Sequence, residues 1–234
     1  MLVIKMKRIL IFYCLFFSVL LQAQSLVKPE LKKVNQAYLT AADLSMDITV
    51  FMYKNKVDKT GSLLGNGWMK KSGKNYHSKF GTDEMLINAK TTLIIDNKKK
   101  QITFFEPNNT KIKTPAQLPN IDSMLTVMDS VIYKGEDGDS KHFCFYSAGS
   151  PIKQTDIYVY KKNSFVKRII YYYKENSKEE NYDMYKIIID YKNIKLDKLT
   201  ENEFSENKYI TIEQGKVKVA PAYQSYKLNL SENE

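Results

Sequence analysis

The chain has 234 residues, of which 43% are hydrophobic, enough for one domain with a sizeable core. Its formal net charge is +10, and removal of a leader with Lys5, Lys7 and Arg8 leaves 33 basic against 26 acidic residues, or +7. Arginine occurs twice only, at Arg8 and Arg168. Because recognition of bases and phosphates favours the planar fork of arginine, we expect no nucleic-acid partner. The charge is consistent with an anionic partner or with a solvated, lysine-rich surface.

Residues 1–23 have the pattern of a secretory signal peptide. A basic start precedes a largely apolar run from Ile9 to Leu21, and the small residue Ala23 closes the segment. The run is too short for a comfortable membrane span, which takes roughly 20 apolar residues. Cys14 lies inside the run without the small residues that precede a lipidated cysteine, so we expect it to be discarded. These features predict a soluble protein exported to the periplasm and cleaved near Ala23.

The mature chain is predicted to begin with an amphipathic helix and to continue as short strands. Apolar residues recur at helical spacing over Glu30–Ala42, directly after Pro29. From Leu44 the period changes to two, which is typical of a half-buried strand. Further strands and a hairpin turn follow between polar segments, and the pattern predicts an antiparallel meander. These strands are Leu63–Lys71, Tyr76–Phe80, Met85–Ile87, Thr92–Ile95 and Gln101–Phe105.

A second helix is predicted in the middle of the chain, where six apolar residues fall on one helical stripe. One helix between two runs of strands is expected to lie against a face or mouth of the sheet. The stripe consists of Ile121, Met124, Leu125, Met128, Val131 and Ile132. Strands return at Lys141–Tyr146, Thr155–Tyr160, Phe165–Tyr173 and Tyr185–Leu196, with a hairpin at Tyr209–Ile212 and Lys216–Val219. The end, Asn229–Glu234, is predicted to fray. We predict a mainly β fold (α+β) in a single domain over residues 24–234.

One cysteine remains after cleavage, so the fold cannot use an internal disulfide. Cys144 lies two residues after His142 in a predicted strand, and both side chains are expected to face the same way. The pair permits a nucleophile or metal hypothesis. A buried cysteine is more often a small hydrophobe, and no third ligand is close in sequence. We therefore predict no catalytic residues, no metal site and no cofactor.

The apolar content is unusual in kind, with 17 tyrosines and 9 methionines against one tryptophan. Methionine adapts to irregular space, and tyrosine combines an apolar ring with a polar tip. A sheet and helix lined in this way could enclose a lipid-accepting cavity. The same residues could equally form an ordinary β core with a tyrosine-rich exterior.

The stretch from Gly65 to Phe105 resembles a known family. A strand with a glycine and a tryptophan is followed by an aromatic strand, an apolar strand, a turn and another apolar strand. The segments are Gly65-Asn66-Gly67-Trp68-Met69-Lys70-Lys71, Tyr76-His77-Ser78-Lys79-Phe80, Asp83-Glu84-Met85-Leu86-Ile87 and Ala89-Lys90-Thr91-Thr92-Leu93-Ile94-Ile95-Asp96. This order resembles the outer-membrane lipoprotein carriers of the LolA type and their LolB relatives, over about Pro29–Tyr133.

The resemblance implies a strongly curved antiparallel sheet, an incomplete barrel closed by helices over an apolar cavity. It also implies a periplasmic carrier that takes lipid or lipoprotein acyl chains toward the outer membrane without chemistry, with envelope transport proteins as further partners. Two positions depart from the family pattern. Lys71 stands where the family has the arginine that latches the lid to the sheet, and Ala89 stands where its turn has glycine.

On this reading we predict a ligand-binding cavity in a monomeric protein. Its sheet side is predicted to consist of Val50, Met52, Tyr76, Phe80, Ile102 and Phe104. Leu125 and Met128 are the lid candidates, and Lys71 is the candidate for the lid latch, with a simple surface lysine as the alternative. The rival hypothesis is a cell-envelope scaffold whose curved sheet binds another protein. A third hypothesis is a hydrolase or metal protein built around His142 and Cys144.

Overall fold

The computed structural model describes residues 27–107, 121–174 and 184–231. The predicted leader, residues 1–23, lies outside this range, so export and cleavage near Ala23 stay predictions. The chain divides into two compact units. Of the described residues, the first unit holds 27–38, Lys54–Val57, 121–174 and 184–188, and the second holds Leu39–Tyr53, 58–107 and 189–231. The single domain over residues 24–234 also stays a prediction.

The second unit is built on a sheet of short strands. In chain order these are β1 (Asp43–Tyr53), β2 (Ser62–Ser72), β3 (Asn75–Phe80), β4 (Asp83–Ile87), β5 (Thr92–Asp96) and β6 (Gln101–Phe105). Most of β11 (Lys186–Lys195) follows, then the hairpin β12 (Ile210–Glu213) and β13 (Lys216–Val219), and finally β14 (Lys227–Ser231). Three 3₁₀ turns cover Glu201–Phe204, Glu206–Lys208 and Pro221–Tyr223. The hydrogen-bonded order is β14-β6-β5-β4-β3-β2-β1-β11, and β12 pairs with β13 separately.

In its described residues, the first unit contains the helices α1 and α2, the start of β11 and the strands β7 to β10, which pair in the order β10-β9-β8-β7. These strands are β7 (Ser130–Asp137), β8 (Ser140–Tyr146), β9 (Ile152–Tyr160) and β10 (Val166–Tyr173). The described part of α1 covers residues 27–40, and α2 covers Ile121–Val127. The Tyr38 ring of α1 meets the Phe165 ring edge-on at 5.0 Å. The Tyr38 hydroxyl also accepts a hydrogen bond of 3.2 Å from the Val166 amide, so a buried aromatic fixes the helix to β10.

The prediction of a mainly β fold is confirmed, since strands form most of the described chain and the helices are few. The strand pairings from β1 to β6 are antiparallel, as the alternation and the polar turns predicted. The predicted hairpin around Gly215 is present as β12 and β13. Closure of a cavity by helices stays a prediction. No helix within residues 27–107, 121–174 and 184–231 is long and apolar enough to span a membrane.

The predicted middle helix is wrong in its second half. The helix ends at Val127, and the residues from Ser130 form β7, so the lid candidate Met128 lies after the helix. Val131 and Ile132 carry β-branched side chains, which favour strands. Both pair with β8, opposite Phe145 and Cys144, and this pairing overrides the helical spacing.

The predicted frayed end is also wrong in part. Residues Lys227–Ser231 form β14, which pairs with β6 in parallel register from Lys227 opposite Gln101 to Ser231 opposite Phe105. Leu228 is half buried and packs against the core of the second unit. The alternation of Leu228 and Leu230 with polar residues is the signal that would have predicted this strand.

Candidate ligand-binding faces of the sheet

The strand register of the second unit assigns each side chain of β1–β6 to one of two faces, because residues directly opposite each other in paired strands point to the same side. One row of partners consists of Met46, Met69, Ser78, Met85, Ile94 and Thr103. The neighbouring row on the other side consists of Ser45, Lys70, His77, Leu86, Leu93 and Phe104. We call the first side the apolar face and the second side the covered face.

The apolar face holds three of the predicted cavity residues. Val50, Tyr76 and Phe80 share it, since Tyr76 lies opposite Ile87 and Phe80 lies opposite Gly67. Tyr76 is buried, and burial raises the pKa of its hydroxyl to about 12. Val50 and Phe80 are half buried. Met52 is half buried too, and it follows a register shift between Val50 and Phe51.

Two glycines of β2 make room on this face. A Cβ atom on Gly65 would lie 2.9 Å from the Phe80 ring, so the ring occupies the space that a side chain would need. A Cβ atom on Gly67 would lie 2.0 Å from the Lys79 carbonyl oxygen, so β3 approaches there too closely for any side chain. The glycines of the family-like segment therefore have a physical role in placing Phe80.

Ile102 and Phe104 are not part of the apolar face, which corrects the prediction for these two residues. They lie opposite Ile95 and Leu93 on the covered face. There they form a buried cluster with three residues of the C-terminal segment, Phe204, Tyr209 and Ile210. Alternation in β6 correctly paired Ile102 with Phe104 but could not assign the side, because both faces of this sheet carry apolar residues.

Four apolar-face residues were missed by the sequence reasoning. Each is half buried, and each lies in the rows of Tyr76 or Ser78. They are Met85, Ile87, Ile94 and Phe105. In β3–β6 the charged residues on this face are Asp83 and Asp96, which lie opposite each other at the strand ends. The remainder of the face in these strands is uncharged.

A buried polar cluster fixes the C-terminal segment to the covered face. The Tyr209 hydroxyl donates a hydrogen bond of 2.5 Å to Glu84 Oε2 and accepts one of 3.1 Å from Lys208 Nζ. His77 Nδ1 donates to the Glu203 carbonyl oxygen at 2.7 Å, and its Nε2 lies 3.1 Å from the Tyr209 hydroxyl. The covered face is thus filled by the chain itself.

The protonation of Glu84 and Tyr209 follows from this geometry. Burial alone would raise the pKa of Glu84, but contacts with His77 and Tyr209 and the charges of Lys208 and Lys79 lower it well below its usual range. Burial and the neighbouring carboxylate of Glu84 raise the pKa of Tyr209 far above its usual value. Glu84 is therefore ionised and Tyr209 is neutral at neutral pH, which suits the donor and acceptor roles of the two groups.

Lys71 lies on the apolar face, in the row of Leu44 and Tyr76. Its ammonium donates a hydrogen bond of 2.7 Å to the carbonyl oxygen of Ala41, directly after the end of α1. Ammonium groups near a helix C-terminus stabilise its unpaired carbonyls. Lys71 thus ties β2 to the residue after a helix, while its role as a latch that opens stays a prediction. The lid candidates Leu125 and Met128 belong to the first unit.

The first unit places His142 and Cys144 on one face of β8, as the sequence predicted, and brings Asp156 of β9 opposite Cys144. Cys144 is fully buried, and burial raises the pKa of its thiol to about 11. The thiol is therefore protonated at neutral pH, the opposite of an activated nucleophile. Among the described residues, no group of three or more His, Cys, Asp and Glu side chains is arranged to hold a metal ion.

No family model matches the chain, and no curated protein does. Several solved structures match it. An uncharacterised conserved protein from Thermus thermophilus matches with a TM-score of 0.46 and 11% identity, over 76% of this chain and 91% of the other. A LolA superfamily protein from Nitrosomonas europaea matches with a TM-score of 0.32 and 12% identity, over 79% and 97%. In the MucA/MucB complex of Pseudomonas aeruginosa, a chain matches with a TM-score of 0.39 and 7% identity, over 76% and 60%. The solved structures similar to this chain thus include a member of the LolA superfamily, the family that its sequence resembles.

Proposed function

We propose that the protein is an exported, non-enzymatic carrier that binds a lipid or a lipidated protein through the apolar face of the second unit. The observation that supports this is the set of half-buried apolar side chains in β3–β6, where the charged residues on this face are confined to Asp83 and Asp96 at the strand ends. Phe80, Met85, Ile94 and Phe105 are partly in contact with solvent, whereas the equivalent residues of the covered face are sealed by the C-terminal segment. A surface that is apolar and incompletely covered gains free energy from an apolar ligand.

Acyl chains fit this proposal energetically. Each buried CH₂ group contributes about 0.8 kcal/mol, so a long chain binds without any specific polar contact. Ser78 shares the face with these residues, but His77 points to the opposite side of β3 and cannot activate it. Ser78 therefore has no support from His77 as a nucleophile on this face. Release requires a state or an acceptor with a different affinity for the lipid.

A test of this function is native mass spectrometry of residues 24–234, purified from envelope extract without detergent. We expect an adduct in the mass range of a lipid that is lost in Ile94→Asp, because the carboxylate lies within the apolar face. Ile212→Asp is the matched control, since Ile212 is exposed on β12, and it is expected to keep the adduct. Circular dichroism checks that both variants fold. A lipid-free mass after incubation with envelope lipids would contradict the carrier function.

The second candidate function is a cell-envelope scaffold that binds another protein. It is favoured by a different surface, the side of β8–β10 that carries His142, Cys144 and Asp156, where tyrosines and polar groups surround a buried carboxylate. In that case the interaction would leave the apolar face of the second unit unaffected.

A further inference from the structure

One row of the apolar face is rich in methionine. Its partners across β1–β5 are Met46, Met69, Ser78, Met85 and Ile94, so three of these five residues carry a thioether. Met46 is 2% exposed and Met69 is fully buried, whereas Met85 on β4 is half buried. The same face therefore holds two sealed methionines and one that solvent reaches.

Met85 lies among the residues of the proposed lipid site. Its cross-strand neighbours are Ser78 on β3 and Ile94 on β5, and Ile87 lies two residues further along β4 on the same side. Ile87 and Ile94 are half buried as well. Directly opposite residues have Cβ atoms about 5 Å apart, so a ligand that covers these isoleucines also contacts the Met85 side chain.

A thioether differs from the other apolar side chains of the face because mild oxidants convert it into a polar group. The sulfur lone pair attacks one oxygen of hydrogen peroxide, the O–O bond breaks, and the proton on the transferred oxygen passes to the departing hydroxide. Sulfur is thereby oxidised by two electrons to the sulfoxide, and the peroxide is reduced to water. The export predicted from the leader would place the chain in an oxidising compartment.

The surroundings of Met85 offer little to a sulfoxide oxygen. Ser78 is 1% exposed, and its hydroxyl already donates a hydrogen bond to the Tyr76 hydroxyl. Ile87 and Ile94 have no donor in their side chains. Water can solvate the sulfoxide while the face is open, but an acyl chain over Met85 displaces that water. Because burying a polar group without a hydrogen bond is unfavourable, oxidation weakens the lipid-bound state selectively.

We propose that Met85 is an oxidation site, and that conversion of its thioether to the sulfoxide by a peroxide lowers the affinity of the apolar face for lipid. This inference rests on the carrier function proposed above and adds redox regulation to it. Bound lipid would in turn slow the oxidation of Met85, because the ligand and the oxidant compete for the same surface.

The other sulfur groups must be separated from Met85 in the test. Cys144 is fully buried. Leucine has nearly the same volume as methionine and no sulfur, so substitution by leucine removes one oxidation site at a time. Within the described residues, four further methionines are half buried, namely Met52, Met124, Met128 and Met184.

The test measures the Kd of residues 24–234 for dansyl-undecanoic acid, a fluorescent fatty acid, before and after treatment with hydrogen peroxide and removal of the oxidant. Peptide mass spectrometry gives the sulfoxide fraction at each methionine. In the wild type we expect sulfoxide at Met85, little at Met46 and Met69, and a Kd weaker by about tenfold or more after oxidation. Saturation with the fatty acid should slow the oxidation of Met85 and not that of Met184.

The quantity compared is the ratio of the two Kd values within each variant. Met85→Leu should lose most of the oxidation effect, whereas Met184→Leu, the matched control in the first unit, should keep it. Treatment of the oxidised wild type with methionine sulfoxide reductase and dithiothreitol should restore binding, since the sulfoxide oxygen leaves as water and the dithiol becomes a disulfide. Circular dichroism checks that each variant folds.

The possible failures of this inference and of the carrier function are distinguishable. Binding that survives full oxidation of Met85, or an oxidation effect that Met85→Leu leaves intact, would overturn the inference and leave the carrier function standing. Resistance of Met85 to peroxide would also overturn it, because the sulfur would then be sealed. A lack of binding by the unoxidised wild type would contradict the carrier function and overturn the inference with it.

Discussion

At the scale of single residues, Glu84 shows how a polar group can hold an apolar cluster together. Its side chain is 5% exposed, and the amide of Asn97 and the ammonium of Lys79 each lie 3.4 Å from Oε1. Tyr209 and Lys208 approach Oε2. A buried carboxylate is tolerated only when donors surround it in this way. The sequence did not reveal this role, since its donors come from β3, the turn after β5 and the distant C-terminal segment.

We expect Glu84→Gln to lower the free energy of unfolding by about 2–4 kcal/mol, because it leaves Lys79 and Lys208 near an amide and removes charge-assisted hydrogen bonds. Urea unfolding at neutral pH measures this change. Glu213→Gln is the control, since Glu213 pairs with Lys218 on the surface, and its effect should stay within about 0.5 kcal/mol. An equal effect of the two substitutions would contradict the role of Glu84.

The same variant has a defined pH dependence. The folded-state pKa of Glu84 lies below the ordinary value of 4.5, so its ionised form stabilises the protein fully above that pH. The stabilisation is lost as pH falls from about 4.5 toward the folded-state pKa. The difference in unfolding free energy between the wild type and Glu84→Gln should therefore shrink in acid and be constant between about pH 6 and pH 8.

At the scale of elements, the sequence predicted strands correctly where the apolar residues followed a single periodicity. The alternation in β1 and the polar turns between β2 and β6 predicted an antiparallel meander, and it is present. The helix predicted from the apolar stripe at Ile121 ends at Val127, because pairing with β8 stabilises an extended chain from Ser130. Which of two apolar faces a residue occupies depends on what covers each face, and here that is a distant C-terminal segment.

The parallel strand β14 provides a prediction at this scale. Leu228→Asp should destabilise the protein by about 2 kcal/mol, because Leu228 packs against the buried cluster and a charge there is poorly solvated. Leu230 is 59% exposed on the same strand, so Leu230→Asp is the matched control and should be nearly neutral. Thermal unfolding of both variants measures the contrast. Hydrogen exchange should show faster exchange of β6 amides in Leu228→Asp only.

At the scale of the whole molecule, the leader pattern predicts that the protein is exported to the periplasm. The mature chain is predicted to carry +7 and to lack its first 23 residues. Intact mass measurement after expression of the full sequence in a Gram-negative host should give a periplasmic product beginning at Gln24. Ala23→Trp should block cleavage, because the processing site requires a small residue. An unprocessed wild-type chain in the cytoplasm would contradict the predicted location and the carrier function with it.

The contacts between the covered face and the C-terminal segment determine when the second unit can complete its folding during synthesis. The hydrogen bond from Tyr209 to Glu84 joins residues 125 positions apart, and the contact between Lys70 and Glu203 joins residues 133 positions apart. Synthesis proceeds from the N-terminus. The covered face of β3–β6 therefore stays exposed to solvent until the C-terminal segment has left the ribosome. Late, non-local closure of this kind delays folding. For the export predicted from the leader, the second unit would therefore still be incompletely folded during passage across the membrane.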